Sequence, residues 1–390
     1  MNFYQETQPW TLNGDTIDVV DTNEHLGLLV SGQHEEQKNV DKKLQLCRNS
    51  LFGLLGAGFA YKCMISPTVQ LHLWRTYSLP VLLSGLCTLP LRPSNMKSLT
   101  IFQNKVHRGF LKLSQSSPVP CLYFLLSELP IEARIHISTL NTFHTILSHP
   151  DTTVHKIIKY VLRMCESNST TWSHHIKILS EKYNLPCPLL LLEEKITINK
   201  ESWKLLVKTN ITAFHERRLR EASESNSKMQ YLNVKLLGLA GRPHPALQHI
   251  LTTQDVRKLR VHLKFLVGDY YHSQRLALDQ PHLSPACKLC SAPVESTEHV
   301  LGTYSATAEC RDRILPELLN TVAAVQPSSH ILLRPTKGEL VQFILYCTSP
   351  NLDNNLRIPA HNPRVFEVFR VSRDWCFAIS KERTRKLSKL

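Results

Sequence analysis

No two aspartates are adjacent anywhere in the 390 residues. That absence excludes the usual arrangement for two-metal phosphoryl chemistry, a carboxylate pair on a strand turn that clamps Mg²⁺. No Mg²⁺ site is therefore expected. There is also no Gly-x-Ser-x-Gly elbow, and no cysteine sits in a signature that joins it to a histidine, so no nucleophile stands out for acyl transfer. Gly56-Ala57-Gly58 lacks a following Lys-Ser or third glycine and lies in an apolar helical context, which suits close helix packing better than a phosphate loop. No charged-then-apolar leader opens the sequence. The longest apolar run, residues 79–91, is interrupted by Pro80 and Pro90 and is too short to cross a bilayer. Neither a membrane nor a small-molecule substrate is expected as a partner.

Negative charge is in short supply. Against 46 Lys plus Arg stand 32 Asp plus Glu, a formal charge of +14, with a pI near 9.3. Such a field attracts polyanions, although charge alone suits a merely soluble basic protein equally well. A hydrophobic content of 42% suffices for a sizeable core and, at this length, two or three domains. The eleven cysteines are an odd number, and most lie singly in apolar stretches, as do Cys63, Cys87, Cys121 and Cys347. Free thiols of that kind point to a reducing compartment, and an intracellular protein of the cytoplasm or nucleus is expected. The 19 histidines are scattered, and His144, His272 and the His174-His175 pair read individually as surface or satisfied core residues.

Periodicity predicts a mainly α protein. Residues 15–20 and 25–30 alternate as two short strands, with turn chemistry at Asp21-Thr22-Asn23. From residue 39 to 164 the apolar spacing is helical, punctuated by Pro67, Pro80, Pro90, Pro93, Pro118, Pro120 and Pro130. Residues 200–225 form a basic helix with Trp203, Leu206, Val207, Ile211 and Phe214 along its seam. Residues 255–266 place Arg257, Lys258, Arg260 and Lys264 around a second seam. Helical spacing returns over 306–325. A loop-like stretch at 350–363 then precedes a basic helix from Arg370 to the last residue.

The sharpest local signal is a set of metal ligands. Cys287 and Cys290 are separated by two residues, and eight more lead to His299, the spacing of a small zinc knuckle. In Cys-Cys-His-Cys knuckles the last cysteine follows the histidine after four residues, and here that position is Tyr304, whose phenol is a poor zinc ligand at neutral pH. Cys310 can close the shell only if residues 302–307 fold back. Adjacent Glu298 is expected to face away or to cap.

Several runs together carry a resemblance. They are Val40-Asp41-Lys42-Lys43, Leu51-Phe52-Gly53-Leu54-Leu55-Gly56, Gln70-Leu71-His72-Leu73-Trp74-Arg75-Thr76-Tyr77, Leu79-Pro80-Val81-Leu82-Leu83-Ser84-Gly85 and Leu99-Thr100-Ile101-Phe102-Gln103-Asn104-Lys105. With the Cys-Cys-His set and Arg373-Asp374-Trp375-Cys376-Phe377, they resemble the region that follows the polymerase core in non-LTR retrotransposon reverse transcriptases. The resemblance implies a primer-grip remnant hairpin at 1–38, with His25-Leu26-Gly27-Leu28 in its strand. It further implies a helical thumb at 39–165, a connector at 166–280, a knuckle-like module at 281–326 and a basic tail at 327–390. It implies zinc as the cofactor, at Cys287, Cys290 and His299, with Tyr304 in place of the family's last cysteine and Cys310 the candidate to complete the shell, and RNA or DNA as the partner. The catalytic aspartates and the endonuclease region of that family have no counterpart, so the expectation is a truncated fragment that grips nucleic acid without polymerising. Lys105, Arg108, Lys112, Arg257, Lys258, Arg260 and Lys264, each beside an apolar seam, are the expected phosphate contacts. The alternatives are a zinc-stabilised protein-interaction adaptor and part of an active RNA-directed DNA polymerase.

Overall fold

Leu26 and Gly27, with φ of 50° and 79°, turn the chain between strands β3 (Thr22–His25) and β4 (Leu28–Ser31). Positive φ at both central residues is the geometry of a tight hairpin turn matched to strand twist. The strands pair antiparallel with Thr22 opposite Ser31 and His25 opposite Leu28. A smaller pair, β1 (Thr11–Leu12) and β2 (Asp15–Thr16), precedes it. The computed structural model describes residues 11–13, 15, 16, 20–54, 56, 65–164, 171–193, 196–290, 292–325, 337–346 and 364–389. Cys63, Cys347, Gly58, residues 17–19 of the first expected strand, residues 165–170 of the first domain boundary, and the loop at 350–363 lie outside them.

The hairpin turn falls later in the chain than Asp21-Thr22-Asn23, and Thr22 and Asn23 are strand residues instead. The cause is tertiary. Asn39 clamps β4, its side chain accepting from Leu29 N–H at 2.8 Å and donating to Leu29 C=O at 2.7 Å, while Lys43 Nζ bonds Gly27 C=O at 3.1 Å. Asn39 and Lys43 are one turn apart on α1 (Glu35–Leu54), so one face of that helix sets the hairpin register.

Prolines then start the helices, as their missing N–H allows. α2 (Pro67–Leu73) runs through a widened turn, Trp74–Ser78, into α3 (Leu79–Leu83), where Pro80 cannot bond back into the ladder. α4 (Pro93–Leu111) ends at Lys112, which adopts a left-handed conformation with φ of 56°. α5 (Val119–Leu126) is apolar nearly all round and correspondingly buried from Pro120 to Leu126. α6 (Ile131–Leu147), α7 (Thr153–Met164), α8 (Trp172–Lys182), α9 (Pro188–Leu192) and α10 (Lys200–Glu224) complete the first half. Asn199 caps α10 by accepting from Ser202 N–H at 2.8 Å.

In the second half, α11 (Thr253–Leu266) opens with a reciprocal capping box between Thr252 and Asp255. α12 (Ser273–Asp279), α13 (Ala308–Val325), α14 (Lys337–Leu345) and α15 (Val365–Leu387) follow. The basic helix expected at the end is α15, and it belongs to the interior. It packs on α11 and α13 and buries Val368, Phe369, Trp375, Cys376 and Ile379. One continuous apolar cluster runs from Val40 to Ile379.

Two loops far apart in sequence are tied at Asp269. It accepts from Ser114 N–H at 3.1 Å and from the hydroxyls of Ser114, Ser116 and Ser117 at 2.5, 3.0 and 2.6 Å. Gly268 beside it has φ of 66°, and a Cβ there would stand 2.5 Å from Lys228 C=O, so only glycine fits the approach. No helix among the described residues is long and apolar enough to cross a membrane.

Candidate metal centre and basic groove

Cys287, Cys290 and His299 converge as their spacing predicts, each offering a ligand atom within 4.8 Å of the other two. Cys287 N–H donates to Ala292 C=O at 3.0 Å, which closes the small loop that carries Cys290. His299 begins a widened helical turn, His299–Thr303, and this places Thr303 Oγ1 3.1 Å from its Nδ1. The hydrogen bond leaves Nε2 aimed at Cys290 Sγ, 3.3 Å away. A ligand imidazole oriented through its second nitrogen is the arrangement metal sites use. Burial pushes the Cys287 thiol up and the His299 imidazole down from their ordinary values. Metal uptake here therefore releases thiol protons and meets a neutral imidazole.

The fourth position is occupied by Tyr304. Its side chain is fully buried, its ring centre is 5.3 Å from that of His299, and its hydroxyl has no hydrogen-bond partner of normal geometry while lying against Cys287. Burial, then the neighbouring Cys287, drives the phenol above its ordinary value, so it is protonated at neutral pH. Cys310 does not close the shell. Residues 299–303 and Ser305–Thr307 continue directly into α13 instead of folding back, and Cys310 lies outside the group, near Arg311 and Arg385. Glu298 turns away to accept from the Tyr231 hydroxyl. Beneath the cluster Glu295, 1% exposed, accepts from Arg383 Nε and Nη2, both at 2.8 Å, and from Ser273 N–H at 2.6 Å. This bidentate pair ties the loop to α15. Three protein donors of two thiols and an imidazole fit a tetrahedral, sulfur-tolerant cation with one position left to another ligand.

The expected phosphate contacts divide into two groups. Lys105, Arg108 and Lys112 follow one another along α4 and line a groove of about 940 Å³ that α1 closes from the other side. Leu44, Phe102 and Val106 are part of its wall, and Phe52 and Ile101 are exposed at it. Asp41 is the one carboxylate among the described residues that line it. α1 contributes Arg48, which sequence reasoning missed; its guanidinium lies 5.7 Å from the Phe102 ring centre. Only the packing of α1 on α4 places it there.

Arg260 of α11 extends the same positive region. Burial, then repulsion from Arg260, lowers Lys112 to about 8, and burial, then Arg257, lowers Arg260 in turn. Lys264 lies one turn beyond Arg260. Lys258 does not join them, since it pairs with Asp374 of α15 at 2.5 Å. Arg108 is partly committed, donating to Ser117 C=O at 3.1 Å. Of the singled-out histidines, His144 stacks on Trp203 and bonds Ile198 C=O, and His272 caps α12 through Arg275 N–H, both in structural roles.

No protein-family model matches the chain, and neither a curated protein nor a solved structure matches it.

Proposed function

We propose that this chain is a nucleic-acid-gripping scaffold, the thumb-to-knuckle portion of a protein like the non-LTR retrotransposon reverse transcriptases, working without polymerase carboxylates of its own. The single observation that carries the reading is the α1–α4 groove, where Arg48, Lys105, Arg108 and Lys112 meet over an apolar wall with Asp41 the one opposing acid among the described residues. Cations on a concave apolar surface with accessible aromatic rings suit a phosphate backbone whose bases stack on the wall. Lys112 and Arg260 carry the positive surface from α4 to α11.

The test is fluorescence anisotropy with mixed-sequence RNA, DNA and a primer-template duplex at several salt concentrations. Binding should weaken steeply with salt, and Lys105→Glu with Arg108→Glu should lower the log–log salt slope by about 2. Absence of binding at low salt rejects the reading. Nucleotide incorporation in a primer-extension assay with Mg²⁺ restores the polymerase alternative.

A second reading draws on the Cys287, Cys290 and His299 group. Zinc held there would make the segment after α12 a metal-stabilised module, as in an interaction adaptor. The free state of the described cysteines, Cys187 and Cys310 among them, is consistent with a reducing, intracellular setting in which thiols stay available. Metal analysis of the purified protein separates the two readings: tightly held zinc without nucleic-acid affinity favours the adaptor.

A further inference from the structure

Two helices distant in sequence bring nitrogen and oxygen donors to one point. Glu132 and His136 are one turn apart on α6, and His215 meets them from α10. Each offers a ligand atom within 4.8 Å of the other two, and both histidines are buried. Tyr183, directly after α8, sets its hydroxyl between the imidazoles, 2.6 Å from His136 Nδ1 and 3.2 Å from His215 Nε2. His175 of α8 stands edge-on to His136 with ring centres 5.8 Å apart.

The charge state suits a cation. Burial, more than any neighbour, holds His136 down to about 3 and His215 down to about 4, so both offer lone pairs at neutral pH. Burial alone would raise Glu132, but Lys182 overrides it and holds the carboxylate ionised, at about 2. That carboxylate already receives positive charge: Lys182 Nζ lies 2.6 Å from one oxygen and Arg218 Nη1 3.4 Å from the other. The side chains of both partners are partly exposed, 28% and 61%, and long enough to withdraw into water. Two imidazoles and one carboxylate are a donor set for borderline transition metals and a poor one for Mg²⁺ or Ca²⁺.

We propose that Glu132, His136 and His215 form a second metal site, distinct from the cysteine cluster, that takes a borderline divalent transition-metal ion such as Zn²⁺ or Co²⁺ in competition with Lys182. The ion pins α6 to α10, with Tyr183 as the neighbouring oxygen donor and His175 beside it.

Co²⁺ titration distinguishes this site from the other by colour. In full-length protein carrying Cys287→Ser and Cys290→Ser, about one equivalent should bind with visible d–d bands and without thiolate charge transfer in the near ultraviolet. Zn²⁺ should displace it, and excess Mg²⁺ should not. Lys182→Met on that background, which retains all three donors, should tighten Co²⁺ about tenfold. Adding His136→Gln and His215→Gln should abolish uptake. No uptake by the folded double-serine protein overturns the proposal. So does uptake that neither Lys182→Met nor the histidine changes alter, because Glu132, His136, Tyr183 and His215 are then a hydrogen-bonded core network only.

Discussion

Cys287, Cys290 and His299 come from one short stretch of chain, held by local turns and by one ion pair to α15. Glu132, His136 and His215 come from two long helices, the imidazoles buried and the carboxylate half-buried, beside aromatic rings, with Tyr183 against Phe214 and His215. The first group is a loop whose shape is written in nearby residues. The second exists only because α10 packs on α6. A cluster of the first kind should be lost locally, and one of the second kind only when the core itself opens.

Acid should break the interior hardest. Burial, ahead of every other cause, holds His107 at about 4 and His244 and His262 at about 3, against an ordinary value of 6.5. The unfolded chain binds protons at these imidazoles near 6.5 while the folded chain refuses them. Their contribution is therefore intact above that pH and is lost as pH falls toward the folded values. At pH 5 the loss is about 2 kcal/mol for each imidazole. Urea unfolding at pH 7 and pH 5 should show a marked drop in midpoint, and an unchanged midpoint contradicts buried neutral imidazoles.

The ion pair under the cysteine cluster comes next. Arg383→Met leaves the carboxylate of Glu295 buried without its guanidinium, a loss of about 3–5 kcal/mol. Denaturant titration measures it, and any zinc taken up by the cysteine cluster should be held less tightly, because Glu295, through its N–H bond to Pro285 and its bond from Ser273, anchors the loop. Tyr304→Cys acts in the opposite direction. A thiolate at the position of the orphaned phenol should raise zinc affinity about 100-fold, read by competition with a chromophoric chelator, with no effect on Co²⁺ bound in the double-serine background. The smallest change is Thr303→Val, which frees His299 to rotate and should weaken zinc about tenfold in the same assay.

How much was legible follows the same division. Helices α10 and α11 lie within two residues of the expected 200–225 and 255–266, and their caps, Asn199 and the Thr252–Asp255 box, are signals the sequence reading did not use. The convergence of Cys287, Cys290 and His299 is as their spacing predicts, because short loops leave little freedom. The hairpin turns at Leu26 and Gly27 although Asp21 to Asn23 are better turn formers than Leu26, because the Asn39 clamp on Leu29 overrides local preference. Lys105, Arg108 and Lys112 share a groove because their spacing keeps them on one side of α4, whereas Lys258, adjacent to Arg257, points to Asp374. Arg48 and the Glu132, His136 and His215 group carried no sequence signal, since their neighbours are set by helix packing. Cys310 drew attention by residue type alone, and the direct run into α13 set its true surroundings.

The four bonds to Asp269 have a mechanical consequence. The cation-bearing helices α4 and α11 finish at the same carboxylate, so their ends cannot part without breaking all of those bonds together. The positive surface that Lys112 and Arg260 share across those ends is therefore held in one shape. On the reading advanced above, it would meet the backbone of a polyanion as a fixed surface and ignore the order of its bases.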